Sequence, residues 1–248
     1  MTRGGWLDRY RDGEREQVWW ELRQLGAAVR EPRFEAEARD VCDEMARRAR
    51  SNVEILVARL TAQGFRFHSN DADAAPVVPL RPPGDEITEL VAALEGEYGP
   101  IPFVVSSWMR IVGDVWLVGT HPEWPDSDHA DPLVVELEGS RYQGYSTLDY
   151  WASEREAWQE ESLDAVGSPG FVLPVAPDRL HKANISGGAP YGFRVPDGCA
   201  DGLFVTDHVG SFVSYLNLVF AHGGFPGFSD GAGVAKIKRA LSQGLLEL

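Results

Sequence analysis

Hydrophobic positions recur at helical spacing through the first quarter of the chain. Val18, Trp19, Leu22 and Leu25 share one side of residues 14–29, with Gly26 as a stop. A longer helix is predicted over 32–64, opening at Pro32, which a first turn tolerates. There Val41, Met45, Ala49, Val53, Leu56 and Leu60 line one face while the other is charged. Helices with such narrow apolar stripes are not satisfied in water, so residues 1–69 are expected to form a helical hairpin packed on the core that follows.

The pattern changes over 70–84, where Pro76, Pro79, Pro82 and Pro83 forbid a helix and predict an extended connection. Asp85 is placed to cap a helix whose apolar face is Ile87, Leu90, Val91 and Leu94, ahead of Gly96. After the Gly99-Pro-Ile-Pro102 turn, Phe103, Val104, Ser107, Trp108 and Ile111 fit a helical period. The pairs Val104-Val105 and Ile111-Val112 suit a strand equally well. Strands are predicted over 115–118 and over 132–137, where Leu133, Val135 and Leu137 alternate.

A helix over 149–164 would set Trp151 and Trp158 on one side and an acidic surface on the other, ending at a turn around Pro169. Strands over 171–175 and 191–195 then flank the loop 177–190, and 203–205 adds a short one. Ser211 caps a helix carrying Phe212, Tyr215, Leu216, Val219 and Phe220, and a last, basic helix holds Val234, Ile237 and Leu241. Helices in front, with strands and helices mixed irregularly behind, predict an α+β fold. Its core is a mixed, mostly antiparallel sheet with flanking helices, residues 85–248 forming the α+β domain.

Composition narrows the functional classes. A formal net charge of -15 argues against a nucleic-acid partner, because phosphate contacts need clusters of Lys and Arg, and lysine occurs only at Lys182, Lys236 and Lys238. Such a charge suits a basic protein partner, and equally serves solubility alone. Cys42 and Cys199 stand far apart without a Cys-x-x-Cys neighbour. That removes a disulfide framework, a thiolate zinc site and a redox motif, and both read as small buried hydrophobes. The N-terminal residues lack the apolar run of a secretion signal and no stretch is long enough to span a bilayer, so a cytoplasmic location with no membrane partner is expected.

Three patches carry candidate chemistry. The loop 121–131 gathers His121, Asp126, Asp128 and His129, a ligand set that zinc or manganese accepts, although it lacks zincin spacing and the glycine and glutamate of a calcium loop. On that alternative the chain is a metal-dependent hydrolase; otherwise no cofactor is expected. The same loop reads as an acidic protein interface centred on Trp124, with Asp126 and Asp128, to which the acidic helix adds Glu154 and Glu160. The third patch, His181, Lys182, Ser186, Gly187 and Gly188, sets two basic groups before a glycine turn whose amides suit an anion, though a hairpin turn explains the glycines as well. No Gly-x-Ser-x-Gly elbow occurs, and no catalytic residue is assigned.

Residues 85–119 resemble the opening of the SUKH superfamily, which includes the yeast cell-wall-assembly regulator and many bacterial toxin-immunity proteins. The resemblance lies in an order of features: an acidic helix from Asp85-Glu86-Ile87 to Leu94-Glu95, the Ile101-Pro102 pair, a helix from Phe103 to Gly113, and a strand at Val115 to Val118. Phe212-Val-Ser-Tyr-Leu216 is similar to the family's C-terminal helix. The helices before Gly84 and the segment His181 to Phe193 depart from it, as a divergent branch would. The resemblance implies an α+β domain without catalytic residues that binds another protein, in immunity-type members a toxin such as a basic nuclease.

Overall fold

The structure, a computed structural model, describes residues 4–139, 146–162, 170–228 and 231–248. It opens with α1 (Trp6–Arg11), an element too short to show a hydrophobic period, and continues into α2 (Arg15–Leu25). Arg9 locks the two together: its guanidinium donates to both carboxylate oxygens of Glu21 at 2.7 and 2.9 Å and to Glu14 at 3.0 Å. A 3₁₀ turn over Gly26–Arg30 leads to α3 (Glu35–Ala62), which buries the apolar face read from its spacing. Pro32 falls in the turn before the helix instead of in its first turn.

The proline-rich segment does more than connect. β1 (Arg66–Phe67) precedes it and β2 (Leu80–Arg81) lies inside it, followed by α4 (Ile87–Tyr98), α5 (Phe103–Ile111), β3 (Asp114–Trp116), β4 (Gly119–Thr120) and β5 (Val134–Val135). Val77 N donates to Phe67 O and Trp116 N to Pro79 O, so Pro79 takes part through its carbonyl along an edge, where a missing N–H is tolerated. Asp85 does not cap α4, whose N-cap is Glu86 with no side-chain hydrogen bond. The helix also runs through Gly96 to stop at Gly99, where φ is +79°. Residues Phe103 to Met109 are all buried, which explains why periodicity left α5 open between helix and strand: a helix covered on every side loses its polar face.

The second half holds α6 (Thr147–Ser162), β6 (Val172–Ala176), α7 (Arg179–Lys182), β7 (Tyr191–Arg194), β8 (Leu203–Val205), β9 (Val209–Ser211), α8 (Phe212–Ala221) and α9 (Ala232–Ser242). The expected end of α6 at Asp164 and the turn at Pro169 lie outside the described residues. The described strand pairs are antiparallel: β1 with β4, the order β2-β3-β5, and the order β6-β7-β8-β9. Glu136 N donates to Val175 O at 2.8 Å, carrying the β5 edge onto β6. The fold is therefore α+β with a helical N-terminal region, and α3 lies against α5.

Two details hold the layers in register. Gly113, at φ +87°, passes so close to the Arg81 carbonyl that a Cβ there would collide with it, and its own carbonyl accepts the Trp108 indole N–H at 2.9 Å. Asp114, buried at the head of β3, accepts the amides of Leu137 and Glu138 at 2.8 and 3.0 Å and so pins the chain beyond β5. The apolar core runs as one cluster from Tyr10 to Leu248, with Trp19, Trp108, Trp116 and Trp151 among its largest members. Asn52 on α3 clamps the C-terminal residues, donating to Leu246 O and accepting from Leu246 N. Arg23 reaches from α2 to the fully buried Asp201 carboxylate at 2.6 Å. Among the described residues no helix is long and apolar enough to cross a membrane.

Trp108→Ala is expected to cost about 3–5 kcal/mol in urea unfolding, the usual range for deleting a buried Trp or Phe side chain, and a loss below about 1 kcal/mol would contradict this packing. Acid unfolding should report the Arg9 contact. The hydrogen bond from Arg9 holds Glu21 down to about 2, against an ordinary 4.5. Because the folded-state value is depressed, the stability it contributes is complete above about 4.5 and disappears as pH falls towards 2. Glu21→Gln should flatten that part of the pH–stability curve, and parallel curves for the two proteins would rule the contribution out.

Candidate functional site

The loop between β4 and β5 folds inward at its apolar and hydroxyl positions. Ser127 Oγ donates to Gly119 O at 2.9 Å and accepts from His121 N at 3.1 Å, while Gly227 N donates to Ala130 O at 2.9 Å. Trp124 is only 6% exposed; it packs edge-on against Phe225 at 5.3 Å, with Lys238 Nζ 5.5 Å above its ring. The expectation of an exposed interface centred on Trp124 is therefore corrected, because the turn after α8 covers the indole. Asp126 remains exposed and Asp128 half-buried.

The metal alternative is corrected as well. His121 is buried, its Nδ1 accepts the Glu123 amide at 3.1 Å, and Nε2–H is left to donate to Gln63 Oε1 at 3.1 Å. Burial also pulls its pKa below the ordinary histidine value. Asp126 and His129 lie exposed on the outside of the loop, and among the described residues no group of three or more His, Cys, Asp or Glu is placed to hold a metal ion.

The third patch resolves into a short helix and a buried ion pair. Asp178 caps α7, accepting the amides of Leu180 and His181 and the Nδ1–H of His181. Burial alone would raise the Asp178 pKa, but these hydrogen bonds outweigh it and hold the carboxyl below its ordinary range. Lys182 is 1% exposed: Nζ donates to Asp131 Oδ1 at 2.6 Å and lies 4.6 Å above the Tyr191 ring. Burial lowers the pKa of Lys182 against the opposing pull of Asp131. The anion site is thus corrected. Lys182 has turned its charge inward and His181 is held by Asp178. Ser186 and Gly188 are exposed, and the nearest polar atom to a Cβ built on Gly187 is a carboxylate oxygen of Asp178, the wrong sign for an anion.

What the structure does form is a pocket of about 390 Å³ between α6 and β6. Tyr150 and Trp151 from the first turns of α6 supply one wall, and Pro174, Val175 and Ala176 of β6 the other. Asn70, Pro177 and Pro190 form part of the rim, with Glu136 and Thr147 where β5 ends and α6 begins. Trp151 is fixed by donating Nε1–H to Pro174 O at 2.6 Å, and Asn70 by donating Nδ2–H to His181 O at 2.9 Å. Glu154, half-buried, stands one helical turn beyond Tyr150. Asp149, Glu156 and Glu160 are exposed along the same helix, while Arg155 pairs with Glu97 of α4 at 2.8 Å.

The spacing of Trp151 and Trp158 located one face of α6, but nothing local in the sequence brings Asn70, Pro174 and Pro190 to it. The available signal was the Tyr-Trp pair opening a helix together with prolines flanking a strand. Compared with protein-family models, curated proteins and solved structures, the chain matches none.

Asp131 sits at φ +55°, a conformation that Asn adopts readily, so Asp131→Asn removes the charge without backbone strain. It strands the buried Lys182 ammonium and is expected to cost about 3–5 kcal/mol in denaturant unfolding, whereas Asp131→Asn with Lys182→Met should recover most of that loss. Equal stability of the single variant and the native protein would show that the pair is not structurally coupled.

Proposed function

We propose that this chain is a non-enzymatic protein-binding module that neutralises a basic partner, of the immunity type that its SUKH-like features suggest. The observation that carries the reading is the juxtaposition on α6 of an apolar pocket with the exposed carboxylates of Asp149, Glu156 and Glu160 and the half-buried one of Glu154, on a chain of net charge -15. An apolar centre within a charged margin is the anatomy of a protein interface, and the acidic field speeds encounter with a positively charged surface. A toxin such as a nuclease, which carries cations for its own phosphate contacts, has the complementary charge. The action is steric and electrostatic: the acidic face covers the partner's cationic surface and no bond is made or broken.

Affinity capture should retain a single basic protein at about 50 mM salt and release it at about 500 mM, where the Debye length has shrunk to a few ångströms. The Glu154→Lys, Glu160→Lys protein, folded by circular dichroism, should lose the partner by at least tenfold. It should also fail to protect cells expressing that partner. A captured partner indifferent to both salt and charge reversal, or protection that survives the reversal, overturns the proposal.

A further inference from the structure

The two ends of the four-stranded sheet differ. At the β6 end, Glu136 N donates to Val175 O at 2.8 Å, whereas at the other end β9 pairs, among the described residues, with β8 alone. The hairpin register sets Leu203 opposite Ser211, Phe204 opposite Gly210 and Val205 opposite Val209. To either side, Phe212 N donates to Gly202 O at 3.1 Å and Thr206 N to His208 O at 2.8 Å, and bonded pairs alternate in an antiparallel ladder. Phe204 and Gly210 are therefore the bonded pair between them. The N–H and C=O of Val209 and the N–H of Ser211 then point away from β8. Val209 and Gly210 are exposed, and β9 carries none of the usual guards of an edge: no lysine, no proline and no bulge. Gly210 also lacks an internal reason to be glycine. Its φ lies outside the left-handed region and a Cβ built on it meets nothing within 4 Å, whereas at Gly113 and Gly192 a Cβ would strike the carbonyls of Arg81 and Leu173. A strand glycine free of such contacts fits the close approach of another backbone.

We propose that β9 pairs antiparallel with β9 of a second copy, Val209 opposite Val209 on a two-fold axis, joining two four-stranded sheets into one. Val209 is the residue of β9 whose two backbone groups both point outward, and this fixes the register. Each feature of the edge then meets its complement. The two Val209 residues exchange N–H···O bonds, and Ser211 N–H reaches the Asp207 carbonyl of the second copy. Gly210 comes opposite the exposed His208 of the second copy, whose ring takes the space that the glycine leaves. The exposed Asp207 comes opposite Ser211 of the second copy. There Arg23 donates from Nη2 to Ser211 Oγ at 2.8 Å and from Nε and Nη2 to Asp201, leaving Nη1 uncommitted among the described residues, so a carboxylate and a guanidinium face each other twice. Such a contact closes on itself and yields a dimer, not a fibre. A seam this short falls below the roughly 1,200 Å² of a stable interface, so the dimer is a weak one. α6 and its pocket lie against β6, at the other end of the sheet, and pairing through β9 leaves both acidic faces open.

The test is sedimentation equilibrium of the intact protein at about 150 mM salt, where the Debye length of about 8 Å screens the repulsion between two chains of charge -15. A monomer–dimer equilibrium is expected, with a dissociation constant on the order of 10–100 μM. In hydrogen exchange the amides of Val209 and Ser211 should slow as concentration rises through that range, while the Gly210 amide, already bonded to Phe204, stays unchanged. Gly210→Leu enters open space in the monomer, so its melting temperature should match or exceed that of the native protein. It should nevertheless weaken the dimer at least tenfold by meeting His208 of the second copy. Val209→Lys, at an exposed position, should weaken it as much by setting two like charges on the axis. A protein that stays monomeric up to millimolar concentration overturns the inference. So does a dimer that both variants leave unchanged while the Val209 amide remains unprotected, since the contact then lies on another face.

Discussion

The buried contact between Lys182 and Asp131 is the constraint on which the arrangement of the second half depends. Neither charge is tolerated away from water alone, so the loop before β5 and the helix α7 have to meet for either to be satisfied. Their meeting sets α7, capped by Asp178, against the 3₁₀ turn over Ser127–Ala130, and the His181 carbonyl there holds Asn70 from the proline-rich segment. Asn70, Pro177 and Pro190, from stretches distant in the chain, come together on the rim of the pocket beside α6.

Side chains in the two loops richest in chemical possibility are engaged with one another or with the core. Each carries charged residues that look available when read in isolation, yet Asp131 and Lys182 neutralise each other, His121 is turned towards Gln63, and His181 is tied to Asp178. Polar residues near a core are consumed by satisfying one another, a requirement stronger than any local motif. On α6 the carboxylates of Asp149, Glu156 and Glu160 remain exposed. On the proposed reading, a helix holds these side chains in fixed register while the pocket beside it supplies the apolar centre.

Much of the architecture was legible from spacing. The face of α3, the Ser211 cap of α8 and the strands at β6 and β7 follow from periods of 3.6 and 2 and from residues with defined capping roles, and they occur close to the expected positions. Boundaries were less legible where a residue permits two outcomes. Gly96 is carried inside α4 because the helix still gains Tyr98 as a buried contact, and Pro79 joins an edge pairing because there only its carbonyl is needed. The candidate sites were the least legible. Trp124 has the local signature of an interface anchor, and only Phe225, a hundred residues on, shows that its indole is already covered.

By itself the sequence determined the class of fold, the acidic net charge and the side of α6 that carries its tryptophans. These depend on composition and on periodicity within single elements, where each residue's neighbours are set by the geometry of a helix or strand. Only the tertiary structure decided which charges face water and which face each other, and that a pocket opens between α6 and β6. Burial and charge pairing are properties of residues brought together from distant segments, and a single chain read in order carries no term for that distance.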